Sequence, residues 1–208
     1  FPAQAGLFGR PTVINNVETL INVPEIVLGG GNAYAGVGTA DSTGTRLFCL
    51  SGDIARPGTY EVEMGLTLGE LIALAGDFSG EPRTILLGGA AGFFVDLEYL
   101  SMPLTFEDAR ARGVTLGSGV VMAFNTGRDM GDIVRRVARF FRDESCGQCV
   151  PCRVGTVRIE EAIARAHSSS LDRPLIADLD RAMKDASICG LGHTAASVVQ
   201  SAMAIGLI

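Results

Sequence analysis

The chain has 208 residues, of which 47% are hydrophobic and 19% are charged. This composition predicts a globular protein of one domain or two small ones, and it excludes a disordered chain. The net charge of −6 argues against a nucleic-acid partner, which would favour a basic surface. No apolar run reaches the ~20 residues that a membrane-spanning helix requires. We therefore expect no direct membrane insertion, and any membrane association to run through other subunits.

The first 44 residues predict one helix after an irregular segment. They begin without an initiator methionine, which we interpret as a start inside a longer polypeptide. Asn15 or Asn16 is positioned to cap the helix, Pro24 would begin a further turn, and three glycines at 29–31 end it. The residues alone favour capping for both asparagines, with hydrogen bonding to a polar ligand as the alternative. The apolar residues at helical spacing are Val17, Leu20, Ile21 and Val23.

Residues 45–125 alternate between strand and helix signals. Thr67 is positioned to cap a short helix that Gly76 ends. Two strands, this helix and further strands predict a small α+β unit in which the helix covers one face of the sheet. The strand-like stretches are 46–50, 59–62, 84–87, 93–95 and 120–124.

Two features of this region have a plain structural interpretation. The glycine-rich stretch 88–92 is followed neither by Gly-Lys-Ser/Thr nor by a helix, so it predicts a turn between strands instead of a phosphate loop. Cys49 lies in the apolar run 47–50, which favours a small buried side chain over a reactive thiol.

Residues 126–208 predict four helices with short connections, which is typical of a small helical bundle. The later three are expected at about 154–166, 174–186 and 194–205. Arginines at 135, 136, 139 and 142 lie outside the apolar stripe of the first helix, which predicts that they form a solvated face. That stripe consists of Met130, Ile133, Val134, Val137, Ala138 and Phe141.

Four cysteines in the helical region form the most specific pattern in the chain. Cys146, Cys149 and Cys152 recur every third residue, and Cys189 follows the third predicted helix. A 4Fe-4S cluster binds four thiolates, each at a different iron, so a short loop can hold three corners while a distant cysteine completes the fourth. Gly147 allows that loop to turn tightly. The pattern predicts a 4Fe-4S cluster at one end of the bundle.

Two other interpretations of the cysteines compete. A structural zinc site also takes four cysteines, but usually as two separated pairs around one ion. A disulfide framework would suit a short secreted chain, whereas thiols committed to a metal imply a reducing, cytoplasmic compartment. With every iron ligated by protein, electron transfer is favoured over binding of a substrate to the metal. We expect no catalytic residue, because His167 and His193 are isolated and typical of surface positions.

Four motifs together resemble a known family. They are Glu-Ser-Cys-Gly-x-Cys-x-Pro-Cys-Arg-x-Gly-Thr at 144–156, Ser-x-Cys-Gly-Leu-Gly at 187–192, Pro-Thr-Val-Ile-Asn-Asn-Val-Glu-Thr-Leu at 11–20 and Ser-Gly-Asp-Ile-Ala-Arg-Pro-Gly at 51–58. The set is similar to the flavin-bearing, NADH-binding subunit of respiratory complex I and its relatives in NAD-linked formate dehydrogenases and soluble hydrogenases. The resemblance covers essentially the whole of this chain. The chain corresponds only to the C-terminal part of the proteins of that family.

The resemblance implies a division into three parts. Residues 1–44 would be a linker and helix that complete a preceding flavin domain, 45–125 a β-grasp domain of the soluble-ligand-binding type, and 126–208 a four-helix bundle that carries the 4Fe-4S cluster. NADH would reduce FMN in the preceding domain, and electrons would pass from FMN through the cluster to other iron–sulfur subunits. By the same resemblance Asn15 and Asn16 contact FMN, with Thr19 and Leu191 near the same cofactor.

The resemblance leaves the electron acceptor open. A flavoprotein subunit of NADH-quinone oxidoreductase is favoured, and a subunit of a soluble NAD-dependent formate dehydrogenase or hydrogenase is the alternative. A docking module with a structural cluster is a further alternative. The chain lacks a glycine-rich dinucleotide loop, so by itself we expect it not to oxidise NADH.

Overall fold

The computed structural model describes residues 1–166 and 171–208, which form a mixed α+β fold around one sheet. The strands lie in the order β2-β1-β5-β3-β4. β5 is parallel to β1, and the other neighbouring strands are antiparallel. The strands are β1 (Thr45–Gly52), β2 (Gly58–Glu63), β3 (Pro82–Leu87), β4 (Phe93–Val95) and β5 (Val120–Asn125). All five coincide with strand-like stretches of the sequence, so these predictions are confirmed.

The helices lie before, within and after the sheet region. Short 3-10 turns occur at Leu7–Gly9 and Leu97–Ser101. The α-helices are α1 (Val17–Gly29), α2 (Gly31–Ala35), α3 (Leu68–Leu74), α4 (Phe106–Ala111), α5 (Met130–Asp143), α6 (Val150–Ala166), α7 (Arg173–Ala186), α8 (Gly190–Thr194) and α9 (Ser197–Ala204). The sequence analysis did not anticipate α2 and α4, which are only five and six residues long and therefore show little periodicity.

Alternate residues of the strands contribute to two hydrophobic cores. Phe48, Leu87 and Val121 belong to the core that also contains Leu68, Leu71 and Ile72 of α3. Leu86 and Phe124 belong to a second core, shared with α5, α6, α7 and α9. Since successive side chains of a strand point to opposite faces, α3 covers one face and the C-terminal helices cover the other.

Cys49 is exposed, so the prediction of a buried side chain is wrong. Its neighbours Phe48 and Leu50 are only 0% and 2% exposed and face the core beneath α3. The alternation along β1 turns Cys49 to the opposite face. Among the residues that the structure describes, β1 and β2 contribute nothing to the second core, so this part of the face stays open. The Cys49 thiol lies 3.6 Å from Thr59 Oγ1.

The glycine-rich stretch 88–92 joins β3 to β4, as predicted. The two strands are antiparallel, with Leu87 opposite Phe93. A Cβ atom at Gly92 would lie 1.8 Å from the carbonyl oxygen of Leu87, so only glycine fits there.

Asp53 ties the sheet to the helix that leads to the cysteines. Its carboxylate accepts a hydrogen bond from the Asn125 backbone N–H at 2.9 Å and from Arg128 Nη2 at 2.6 Å. Asp53 is only 7% exposed, and the hydrogen bonds from Arg128 are the main reason that its pKa lies below the usual value. The two partners lie at the end of β5 and just before α5, so one side chain fixes the junction between them.

Three helix boundaries differ from the sequence prediction. α6 begins at Val150, not near 154, because Pro151 is well tolerated in a first turn, where its missing N–H leaves no bond unmade. The predicted final helix at about 194–205 corresponds to α9, which begins at Ser197, and the five-residue helix α8 before it was not predicted. Pro24 lies inside the single helix α1 and does not begin a separate turn.

Candidate metal centre

The four predicted cysteine ligands lie in two segments at the ends of the C-terminal helices. Cys146 and Cys149 are in the connection between α5 and α6, and Cys152 is in the first turn of α6. Cys189 immediately precedes α8. Cys152 is buried and Cys149 is half-buried, whereas Cys146 and Cys189 are exposed.

Contacts between the two segments bring the cysteines together. The backbone N–H of Ile188, next to Cys189, donates to the Cys149 thiol and is the main reason that the pKa of Cys149 is lowered. On the other side, a Cβ atom at Gly192 would lie 3.2 Å from Cys152 Cβ. The start of α8 therefore packs directly on the first turn of α6.

Electrostatics also couple the four thiols. Burial is the main cause that raises the pKa of Cys152, and the nearby charges of the other three cysteine thiolates raise it further. A bound cation would reverse this balance, because it stabilises thiolates directly. The described residues thus offer four sulfur ligands that repel one another when charged and gain stability when a metal group neutralises them.

Hydrogen bonds within the segment 145–153 fix the loop that carries Cys146 and Cys149. Gly147 adopts φ +74°, in the left-handed region that favours glycine. Arg153 Nη1 donates to the Gly147 carbonyl oxygen at 2.9 Å. Ser145 Oγ lies 3.3 Å from Cys152 Sγ, so the residue before the first cysteine reaches the most buried one.

A buried carboxylate holds α5 against α6 next to the loop. Glu160 is 7% exposed and pairs with Arg135 at 3.3 Å and Arg142 at 3.2 Å. The predicted solvated arginine face is therefore confirmed for Arg136 and Arg139, which are exposed. Arg135 and Arg142 are instead half-buried against Glu160. Sequence reasoning missed Glu160, although an acidic residue on the buried side of α6 was a usable signal.

The donor set fits an iron–sulfur cluster. In the described ranges 1–166 and 171–208, no group of three or more His, Cys, Asp or Glu side chains is arranged around a single metal ion. A 4Fe-4S cluster does not require such convergence, because each thiolate binds a different iron. Four cysteines from two packed segments, with backbone N–H donors close to sulfur, suit such a group.

The predicted flavin residues fall in two places. Asn16 caps α1, since its side chain accepts from the Glu18 backbone N–H at 2.8 Å, and this confirms the capping prediction. Asn15 and Thr19 are exposed at the same end of α1. Leu191 is instead half-buried in α8 and packs against the core of the C-terminal helices.

A side chain in the first turn of α1 forms a hydrogen bond with the sheet. Glu18 Oε1 accepts a hydrogen bond from the Leu47 backbone N–H at 2.9 Å, at the part of β1 that precedes its pairing with β5. None of the residues of α1 is buried. The hydrogen bond of Glu18 therefore helps to position this helix on β1.

Of the two histidines considered in the sequence analysis, the structure describes one. His193 is exposed, as predicted, and its Nε2 lies 2.8 Å from the Ser187 carbonyl oxygen. His167 lies outside the described residues.

Comparison with known proteins gives family matches for two regions, one in the C-terminal helices and one in the sheet. Residues 132–205 match the family described as the NADH-ubiquinone oxidoreductase-F iron–sulfur binding region, and residues 47–89 match the SLBB domain. A subunit of the NADH-quinone oxidoreductase of Mycobacterium tuberculosis H37Rv is 39% identical over 208 residues. The chain resembles the C-terminal part of this subunit and its family.

Hydrogenase subunits are also among the relatives. A subunit of the NADP-reducing hydrogenase of Solidesulfovibrio fructosivorans is 37% identical over 98% of the chain. A crystal structure of an NAD⁺-reducing [NiFe]-hydrogenase in the H2-reduced state matches 98% of the chain with a TM-score of 0.85 and 39% identity. The chain spans about half the length of the curated relatives, 47% of the mycobacterial subunit and 43% of the hydrogenase subunit, and 35% of the crystallised chain.

The described helices give no candidate for a membrane span. Within residues 1–166 and 171–208, no helix is both long and apolar enough to cross a bilayer.

Proposed function

We propose that this chain is the electron-transfer segment of an NADH:acceptor oxidoreductase, in which electrons pass from FMN through a 4Fe-4S cluster to partner subunits. The observation that carries the proposal is the packing of Cys189 and its neighbours on the loop of Cys146, Cys149 and Cys152. Those four cysteines are the proposed ligands. A bound 4Fe-4S cluster would accept and release single electrons. The similarity of residues 132–205 to an iron–sulfur binding region supports this assignment.

The proposed architecture has two domains after an N-terminal segment. Residues 45–125 form a β-grasp domain, supported by the β1–β2 hairpin, the helix α3 that packs on one face of the sheet, and the central β5 parallel to β1. Residues 126–208 form a helical bundle built from α5, α6, α7 and α9, which share one core. The cysteines lie at one end of this bundle.

The N-terminal segment, residues 1–44, is proposed to complete a flavin domain that precedes it. Most of its large apolar side chains are exposed, and large exposed apolar surface marks an interaction site. The most exposed are Phe1, Phe8, Val13, Ile14, Val17, Val27 and Leu28. Asn15, Asn16 and Thr19 lie on the same segment and would contact FMN there, with Leu191 approaching from α8. NADH would bind in the preceding domain.

The favoured assembly is NADH-quinone oxidoreductase, located in the cytoplasm at the surface of the inner membrane through partner subunits. Other iron–sulfur subunits would accept the electrons. The match to an NAD⁺-reducing hydrogenase structure favours a soluble hydrogenase as the second candidate. A formate dehydrogenase subunit, or a docking module with a structural cluster, would use the same cysteines.

Metal analysis and reversible reduction of the anaerobically purified chain test the proposal. We expect about four iron and four sulfide per chain, as in a cubane, and a spectrum that dithionite bleaches and air restores. One zinc without sulfide would exclude the cluster, and a redox-silent cluster would favour the docking module. NADH should not reduce the chain alone, whereas the complete subunit should reduce a dye with NADH.

A further inference from the structure

The Ser145 hydroxyl takes part in two hydrogen bonds next to Cys152, the most buried of the four cysteines. Its Oγ lies 3.3 Å from Cys152 Sγ, and the backbone N–H of Gly147 points to the same oxygen at 3.4 Å. Cys152 is 5% exposed, so water has little access to replace a lost partner. The contact is therefore part of the interior of the site.

The chemistry of the two partners of Ser145 decides which atom donates when the sulfur is bound to a metal. The Gly147 N–H can only donate, so it uses a lone pair of Ser145 Oγ and leaves the hydroxyl hydrogen free. A sulfur atom bound to a metal is a thiolate, which can only accept. The chain of bonds therefore runs from the Gly147 N–H to the Ser145 hydroxyl and on to Cys152 Sγ. Each bond in such a chain polarises the next.

We propose that Ser145, by donating to Cys152 Sγ, is a positioning residue that raises the reduction potential of the cluster. The inference rests on the proposed function, and it concerns a residue that contacts a ligand instead of the cluster itself. Reduction adds negative charge to the cluster and its sulfur ligands. A fixed donor thus stabilises the reduced form more than the oxidised form, and hydrogen bonds to sulfur are a recognised determinant of cluster potential. The low exposure of Cys152 strengthens the effect.

The test is a redox titration of the complete subunit, followed by electron paramagnetic resonance. Ser145→Ala should lower the ratio of reduced to oxidised cluster about tenfold at a given potential, a shift of about 59 mV for a one-electron couple. Ser145→Thr keeps the hydroxyl and should titrate like the wild type. Gln148→Ala, at an exposed position of the same loop, is the matched control and should also leave the potential unchanged.

The outcomes separate this inference from the proposed function. A Ser145→Ala protein with full iron and sulfide and an unchanged potential overturns the role of Ser145 while leaving the cluster assignment intact. A wild-type protein without iron and sulfide overturns the cluster assignment itself.

If Ser145→Ala assembles no cluster, electron-nuclear double resonance on the wild type and Ser145→Thr decides. An exchangeable proton whose coupling to the reduced cluster differs between the two proteins belongs to the side chain at position 145 and supports the donor role, because a backbone donor such as the Ile188 N–H should give the same coupling in both. Identical exchangeable couplings in the two proteins overturn it.

Discussion

Replacement of Asp53 by alanine should weaken the junction between the sheet and α5. The Asn125 N–H would lose its acceptor, which costs about 1–3 kcal/mol for a buried group. The ion pair adds only about 0–1 kcal/mol, since the Arg128 side chain is 54% exposed. We expect Asp53→Ala to lower the free energy of unfolding by about 2–3 kcal/mol, which corresponds to roughly 4–12 °C in Tm for a chain of this size.

Asp53→Asn separates the hydrogen bond from the charge. It keeps an oxygen for the Asn125 N–H, so we expect a loss of only about 1 kcal/mol. The folded-state pKa of Asp53 is depressed. Its carboxylate therefore contributes stability above the unfolded pKa of about 3.9, and this contribution is lost as the pH falls through the lower folded value. The difference between wild type and Asp53→Asn should shrink over that same range.

Urea unfolding followed by circular dichroism at a series of pH values measures these differences. Asp41→Asn, an exposed position in the loop before β1, is the control and should change little. Equal losses for Asp53→Ala and Asp53→Asn, or a difference that does not depend on pH, would refute the assignment of the carboxylate as the clamp.

Three further substitutions test the site. Cys189→Ser should lose the cluster or leave it labile, whereas Cys49→Ser should keep full iron content; iron loss in the latter would mean that the ligands are wrongly assigned. Gly192→Ala should reduce cluster retention, because the new Cβ would lie 3.2 Å from Cys152 Cβ and only 2.3 Å from the Ser187 hydroxyl oxygen; unchanged iron content would contradict the close packing. Asn16→Ala should cost about 1 kcal/mol of stability through loss of the cap. In the complete subunit, lower FMN occupancy at an unchanged Tm would instead support a flavin contact for Asn16.

Local sequence patterns were sufficient for the strands, the longer helices and the ligand candidates, but not for the short helices α2, α4 and α8. Period-two and period-3.6 hydrophobicity located the five strands and the longer helices, because these periods depend only on the backbone geometry of each element. The cysteine spacing carried the metal prediction for a similar reason, since three ligands in one short loop form a local arrangement. The position before an apolar helical pattern marked Asn15 or Asn16 as the cap, and the structure selects Asn16, which accepts the Glu18 N–H.

The tertiary structure decided which of these residues meet. The exposure of Cys49 depends on which helices cover each face of the sheet, and an apolar run of four residues contains no information about that. The Asp53–Arg128 pair joins residues that are 75 positions apart, and the pairing of Glu160 with two arginines requires α5 and α6 to lie side by side. The same holds for the proposed metal site, where contacts between the two cysteine-bearing segments bring Cys189 to the other three cysteines. Such contacts arise from long-range packing, whereas periodicity and capping arise within a few residues of the chain.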